Sequence, residues 1–147
     1  MKEEKSFEQV LGRLIGFAGK VMGKRLGENF VKKGYQISPE QGIILAHLKL
    51  NEGVNQRSLS DFLFCDKTAM TRWIDSLETL NYVVRVPDKV DRRQNMIFLT
   101  KEGKKFVDKI KETAFLTEKQ AIAGIDPNKV KICKEVLLQV RLNLEEK

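Results

Sequence analysis

The stretch LSDFLFCDKTAMTRWIDSLETLNYVVRVPDKVDRRQNMIFL, Leu59 to Leu99, decides the fold. Leu59, Phe62 and Leu63 open it at the 3–4 spacing of one helix face. Asp66 is a helix cap, with Lys67 as the first residue of a second helix. Met70, Trp73, Ile74, Leu77 and Leu80 form that helix's buried stripe, and Lys67, Thr68, Thr71 and Arg72 lie opposite. Asn81 stands where the chain must turn left-handed. The period then changes. Tyr82–Val86 is β-branched and aromatic, Pro87-Asp88 turns, and Met96–Leu99 reads as the returning strand. Between the strands lies a polar tip, Lys89 to Gln94, with two adjacent arginines. Helix, tight turn, helix and a hairpin with a basic tip make a winged helix-turn-helix over residues 54–99.

Outward from this core, the signals are helical. Phe7, Val10, Leu11, Leu14, Ile15, Ala18, Val21, Met22, Leu26 and Phe30 predict one amphipathic helix from Ser6 to about Lys33, ended by Gly34. Gly12, Gly16, Gly19, Gly23 and Gly27 fall nearly on one side of it, either as weak positions held by packing or as a face for another helix. Ser38-Pro39-Glu40-Gln41 is a capping box with Pro at the first position, opening a helix buried through Ile43, Ile44, Leu45, Leu48 and Leu50. Val54 predicts a very short strand, and Asn55 caps the helix from Gln56 to Leu63.

Downstream, Thr100 caps a fifth helix to about Ala123 with Phe106, Val107, Ile110, Ala114 and Ala121 inward. Gly124-Ile125 reads as a Schellman ending, and Asp126-Pro127 starts a sixth helix. There Val130, Cys133, Leu137, Val140 and Leu144 repeat at 3, 4, 3, 4, the seam of a helix–helix partnership. The expected class is mainly α with a small β wing: one domain over 1–147, with long helical segments, 6–33 and 101–147, available for dimerisation.

The bulk numbers exclude more than they identify. A chain of 147 residues, 41% apolar and 32% charged, can bury an independent core. No window holds eighteen apolar residues and MKEEKSFEQ has no signal-peptide core, so the expected location is the cytoplasm, away from membranes. Two cysteines and one histidine make neither a disulfide framework nor a zinc site. Net charge +7 fits a polyanion, yet residues 56–100 hold seven bases against six acids. Placement carries the argument instead, with bases at the helix start and wing tip.

The order and spacing of several pieces resemble the MarR family of bacterial transcription regulators. They are Thr71-Arg72, Leu77-Glu78, Asp91-Arg92-Arg93, and Leu99-Thr100 running into Lys101-Glu102-Gly103. The resemblance covers the run from Asp66 to Gly103, with two departures. Phe64 stands where the family often has Gly in the first turn, pointing to a turn built differently, and Asn81 stands where it usually has Gly.

The resemblance implies a homodimeric, sequence-specific DNA-binding regulator, in most cases a repressor, on a pseudo-palindromic operator of double-stranded DNA. A small apolar or phenolic effector is implied, with Tyr35, His47, Phe17 and Met22 as candidate pocket residues. It further implies that Arg93 enters the minor groove while Asp91 holds its guanidinium. In an extended tip those two would share a side, with Arg92 facing away.

From the motif itself, Lys67, Thr68, Thr71 and Arg72 are expected at base edges. Gln56, Arg57 and Ser58 open the preceding helix and are expected near phosphates. Cys65 precedes a helix and reads as a free thiol, with a redox switch as the less favoured alternative. Cys133 reads as core and His47 as structural. No phosphate loop, nucleophile elbow or metal-ligand cluster is present, so neither an enzyme nor a cofactor is expected. The competing reading is a winged-helix protein-interaction module, which usually lacks bases at both reading positions.

Overall fold

Side-chain caps set where the helices begin. The computed structural model describes residues 6–145; residues 1–5 and 146–147, the ends of the domain read from the sequence, lie outside the described residues. The long first helix is interrupted. Ser6 caps a single 3-10 turn, Phe7–Gln9, Val10 is extended (φ −65°, ψ 128°), and α1 runs Leu11–Lys32. Phe7 and Val10 are exposed, so little burial among the described residues favours a regular extra turn over β-branched Val10.

The other caps form as expected. For α2 (Pro39–Leu50), Ser38 Oγ accepts the Gln41 N–H at 3.2 Å and Gln41 Oε1 accepts the Ser38 N–H at 2.8 Å. Val54–Asn55 is β1, and Asn55 caps α3 (Gln56–Leu63) through the Arg57 N–H at 2.7 Å. Asp66 caps α4 (Lys67–Thr79) through the Ala69 N–H at 2.7 Å. After β2 (Val83–Pro87) and β3 (Asn95–Leu99), Thr100 caps α5 (Lys101–Ala121) and Asp126 caps α6 (Pro127–Leu144).

Three helices end alike. Gly34 (φ 78°) and Asn81 (φ 62°) are left-handed, and Tyr35 and Tyr82 donate to the carbonyls of Phe30 and Leu77, both at 2.9 Å. Phe64 takes the same conformation (φ 50°), with Cys65 N–H on the Ser60 carbonyl at 3.1 Å. The turn is therefore built as glycine would build it, and the bulky residue bears the strain. Gly124 is left-handed as well (φ 76°), but Ile125 N–H reaches only the Ile122 carbonyl, closing a short turn and not a Schellman ending.

The sheet order is β1-β3-β2, antiparallel, with Val54 and Arg85 both opposite Ile97. One core joins every part but α6: Leu59, Met70, Ile74 and Leu77 from the helix-turn-helix, Ile97 from the sheet, Ile44 and Leu45 from α2, and Phe30, Phe106 and Ile110 from α1 and α5. Trp73, Leu80 and Leu63 sit half-buried at its edge, while Phe62 is more exposed and stacks on His47 at 4.1 Å. On α5, Thr113 and Thr117 point inward where Ala114 and Ala121 were expected. Buried Asn29 of α1 explains the exchange. Its Nδ2 donates to Thr117 Oγ1 at 2.8 Å and Gln120 Oε1 at 3.0 Å, partners that alanines could not supply.

Two apolar faces stay uncovered. Leu11, Leu14, Phe17 and Val21 on α1 are 52–66% exposed, and no described residue of α6 is buried. Cys133 is thus exposed in the single chain, not core. Among the described residues, Gly27 is the one glycine of α1 with a neighbour: a Cβ there would stand 3.6 Å from Pro39 Cγ.

Candidate nucleic-acid interface

The exposed faces of two helix N-termini meet the wing at one cleft. Lys67 and Thr68 stand on the first turn of α4, Arg72 one turn on, and Arg57 and Ser58 on the first turn of α3; all five are exposed. Arg57, Lys67 and Arg93 line a cleft of about 520 Å³ bounded by α3, the start of α4 and the wing. Cys65, a half-buried free thiol, and Asp61 line it too. Ser58, Thr68, Arg72 and Arg92 lie outside this cleft, with Arg92 exposed on the wing tip. A Gln94–Asn55 side-chain hydrogen bond ties the base of the wing to the cap of α3.

Thr71 is only half-exposed, and beside it stand Gln56, which was expected near phosphates, and Arg85, which the sequence reading missed. Gln56 Nε2 donates to Thr71 Oγ1 at 3.0 Å, and Gln56 Oε1 accepts from Arg85 Nε at 3.4 Å. The Arg85 guanidinium, 18% exposed, also meets Asp75 at 2.7 Å, Glu78 at 3.3 Å and the Thr71 carbonyl at 3.3 Å. Asp75 and Glu78, the acids of α4, thus share one strand residue as their ion-pair partner. Glu78 Oε2 also accepts the Arg85 backbone N–H at 3.2 Å, and Pro87 has no N–H, so the free edge of β2 is closed to strand pairing. A signal was available: Arg85 shares its strand face with buried Val83, and a charge on an inward face needs partners.

Asp91 and Arg93 do come together, although the tip is a turn and not an extended strand. Asp91 Oδ1 accepts the Arg93 backbone N–H at 3.1 Å, and Arg93 Nε lies 3.7 Å from the same oxygen. Gln94 N–H bonds the Asp91 carbonyl and Asp88 N–H the Gln94 carbonyl, closing the loop. The Arg93 side chain is 96% exposed, free to meet a ligand.

A second cavity, about 410 Å³ and largely apolar, lies among α1, α2 and α5; Phe30, Ile43, Val107, Ile110 and Phe115 line it, with Lys49 and Lys111. The residues expected around an effector are elsewhere. Tyr35 packs edge-on against Phe106, His47 lies under Phe62, and Phe17 and Met22 stand on the uncovered part of α1. Among the described residues no cluster of His, Cys, Asp and Glu could hold a metal, and no helix is long and apolar enough to cross a membrane.

Comparison with known proteins points the same way. The MarR family model matches residues 35–94. An uncharacterized HTH-type transcriptional regulator of Bacillus subtilis, YybA, is 24% identical over 117 residues, covering 80% of this chain and 78% of that protein. A MarR transcriptional regulator from Methanosarcina mazei superposes with a TM-score of 0.79 at 28% identity, covering 91% of this chain and 97% of that one. CouR from Rhodococcus jostii, solved bound to p-coumaroyl-CoA, shares the fold with a TM-score of 0.80 at 21% identity, over 97% and 99% of the two chains. The segment 35–94, which holds the helix-turn-helix and most of the wing, matches the MarR family, and the chain is a DNA-binding transcription regulator.

Proposed function

We propose that the chain acts as a homodimeric repressor on a pseudo-palindromic operator in the cytoplasm. Lys67, Thr68, Thr71 and Arg72 contact base edges, Arg57 and Ser58 contact phosphates, and Arg92 and Arg93 serve the minor groove, with Asp91 orienting Arg93. The observation that carries this reading is the convergence of Arg57, Lys67 and Arg93 on one cleft between helix-turn-helix and wing. A protein-interaction module has no need of bases on both walls.

Dimerisation is supported by the bare apolar faces of α1 and α6, since a face this extensive on a charged chain calls for cover. The segment 54–99 is then the reader, and 6–33 with 101–147 the dimer-forming part. The apolar cavity among α1, α2 and α5 supports a small apolar or phenolic effector, as does the ligand held by CouR on the same fold. Lys111 would suit an anionic group on it, whereas Lys49 is paired with Asp108 at 2.7 Å in the same lining.

Titrating the protein against its own promoter region across a salt series tests the reading. If each subunit neutralises roughly four phosphates, the log–log slope of affinity against salt falls near about −7. Salt-independent binding, or none, removes the proposal.

A further inference from the structure

Thr71 differs from three other helical threonines. Thr79, Thr113 and Thr117 donate their hydroxyl hydrogens to the carbonyl four residues back. Thr71 Oγ1 instead accepts, from Gln56 Nε2 at 3.0 Å, and among the described residues it donates to none. The reason lies one residue further in. Gln56 Oε1 faces Arg85 Nε at 3.4 Å, and a guanidinium can only donate. Turning the Gln56 amide over would set its NH2 against that N–H, so Arg85 fixes which end of the amide meets Thr71. Arg85 itself is held by Asp75, Glu78 and the Thr71 carbonyl, so the start of this chain is rigid.

We propose that Gln56 and Arg85 are positioning residues that set base preference: the directed chain from Arg85 through Gln56 to Thr71 presents the Thr71 hydroxyl to the major groove as a hydrogen-bond donor. The proposal rests on α4 being the reading helix. A donor there favours guanine, which offers O6 and N7, or thymine, which offers O4, and disfavours cytosine, whose edge offers only its amino group. Neither positioning residue touches the base; each acts through Thr71.

The test is selection from a randomised double-stranded library at fixed salt, read as base ratios at each position. Gln56→Glu reverses the chain, because a carboxylate accepts from both Arg85 and Thr71, turning the Thr71 hydrogen inward and its lone pairs outward. Its extra negative charge weakens binding to every sequence, which is why the ratio is the readout. We expect guanine and thymine to lose their advantage over cytosine by about fivefold or more at one position of each half-site, with other positions unchanged. Thr71→Val should erase the preference at that same position, and Gln56→Glu added to it should then change no ratio there.

Three results overturn the proposal. If Gln56→Glu lowers recovery with all ratios intact, Gln56 is only structural. If Gln56→Glu fails to fold and a folded Thr71→Val keeps the wild-type ratios, Thr71 does not read that base. A wild type that enriches no sequence removes the DNA-reading assignment itself, a different failure from altered affinity with unaltered ratios.

Discussion

Gly103 is held to its size by a contact that is distant in sequence. A Cβ there would stand 2.0 Å from the Tyr82 carbonyl oxygen, which already accepts the Thr100 N–H at 3.0 Å. The segment ending the recognition helix and the segment starting α5 thus touch backbone to backbone. Gly103→Ala must push them apart, and overpacking of this kind costs about 2–3 kcal/mol, read as a lower urea midpoint. An unchanged midpoint would mean that the loop yields freely. The sequence displayed this glycine as part of a motif, but its reason depends on Tyr82. Arg85 is the converse: a single charge in a strand, with four partners on other elements and no local motif. Phe64 was legible as a departure and not as a conformation, because neighbouring residues do not reveal a positive φ on a bulky side chain.

Among elements, what local chemistry controls was readable. Ser38, Asn55, Asp66, Thr100 and Asp126 all accept the N–H bonds expected of caps, since a cap's partners lie two or three residues away. The inward face of α5 was misread because alanine and threonine differ by what stands opposite, here Asn29. The wing tip was expected extended and is a turn, yet the pairing survives because Asp91 bonds the Arg93 backbone N–H. This gives the wing a test of sign. If Asp91 orients Arg93, then Asp91→Ala weakens operator binding, although losing an acid beside DNA should by charge alone strengthen it. Arg93→Ala sets the scale at about tenfold weaker, the lower end for a specific groove contact. Tighter binding by Asp91→Ala at equal salt would reduce Asp91 to a surface charge.

For the whole molecule the open matter is what covers α1 and α6. A helix apolar on more than one side belongs in an interior. On α6, Ile132, Val136, Leu138 and Leu142 are 48–58% exposed beside the seam containing Leu137 at 40%. Within the chain α6 is held to α5 by one described ion pair, Lys134–Glu118, so the seam's partner is not supplied internally. The 3, 4, 3, 4 spacing was legible because it is local; its partner was not, because no described residue of the chain buries it. A second copy satisfies both observations, covering α6 and the exposed half of α1, where four glycines would let a helix approach closely. Leu137→Glu places a charge in that seam, at a cost of several kcal/mol if the seam is closed. If a second copy covers the seam, the wild type sediments as a dimer and this variant as a monomer, while the circular dichroism of the wing-bearing half persists. Operator affinity should fall with it, since two half-sites no longer bind as a linked pair. A wild type that sediments as monomer at micromolar concentration would leave the apolar faces needing a different partner.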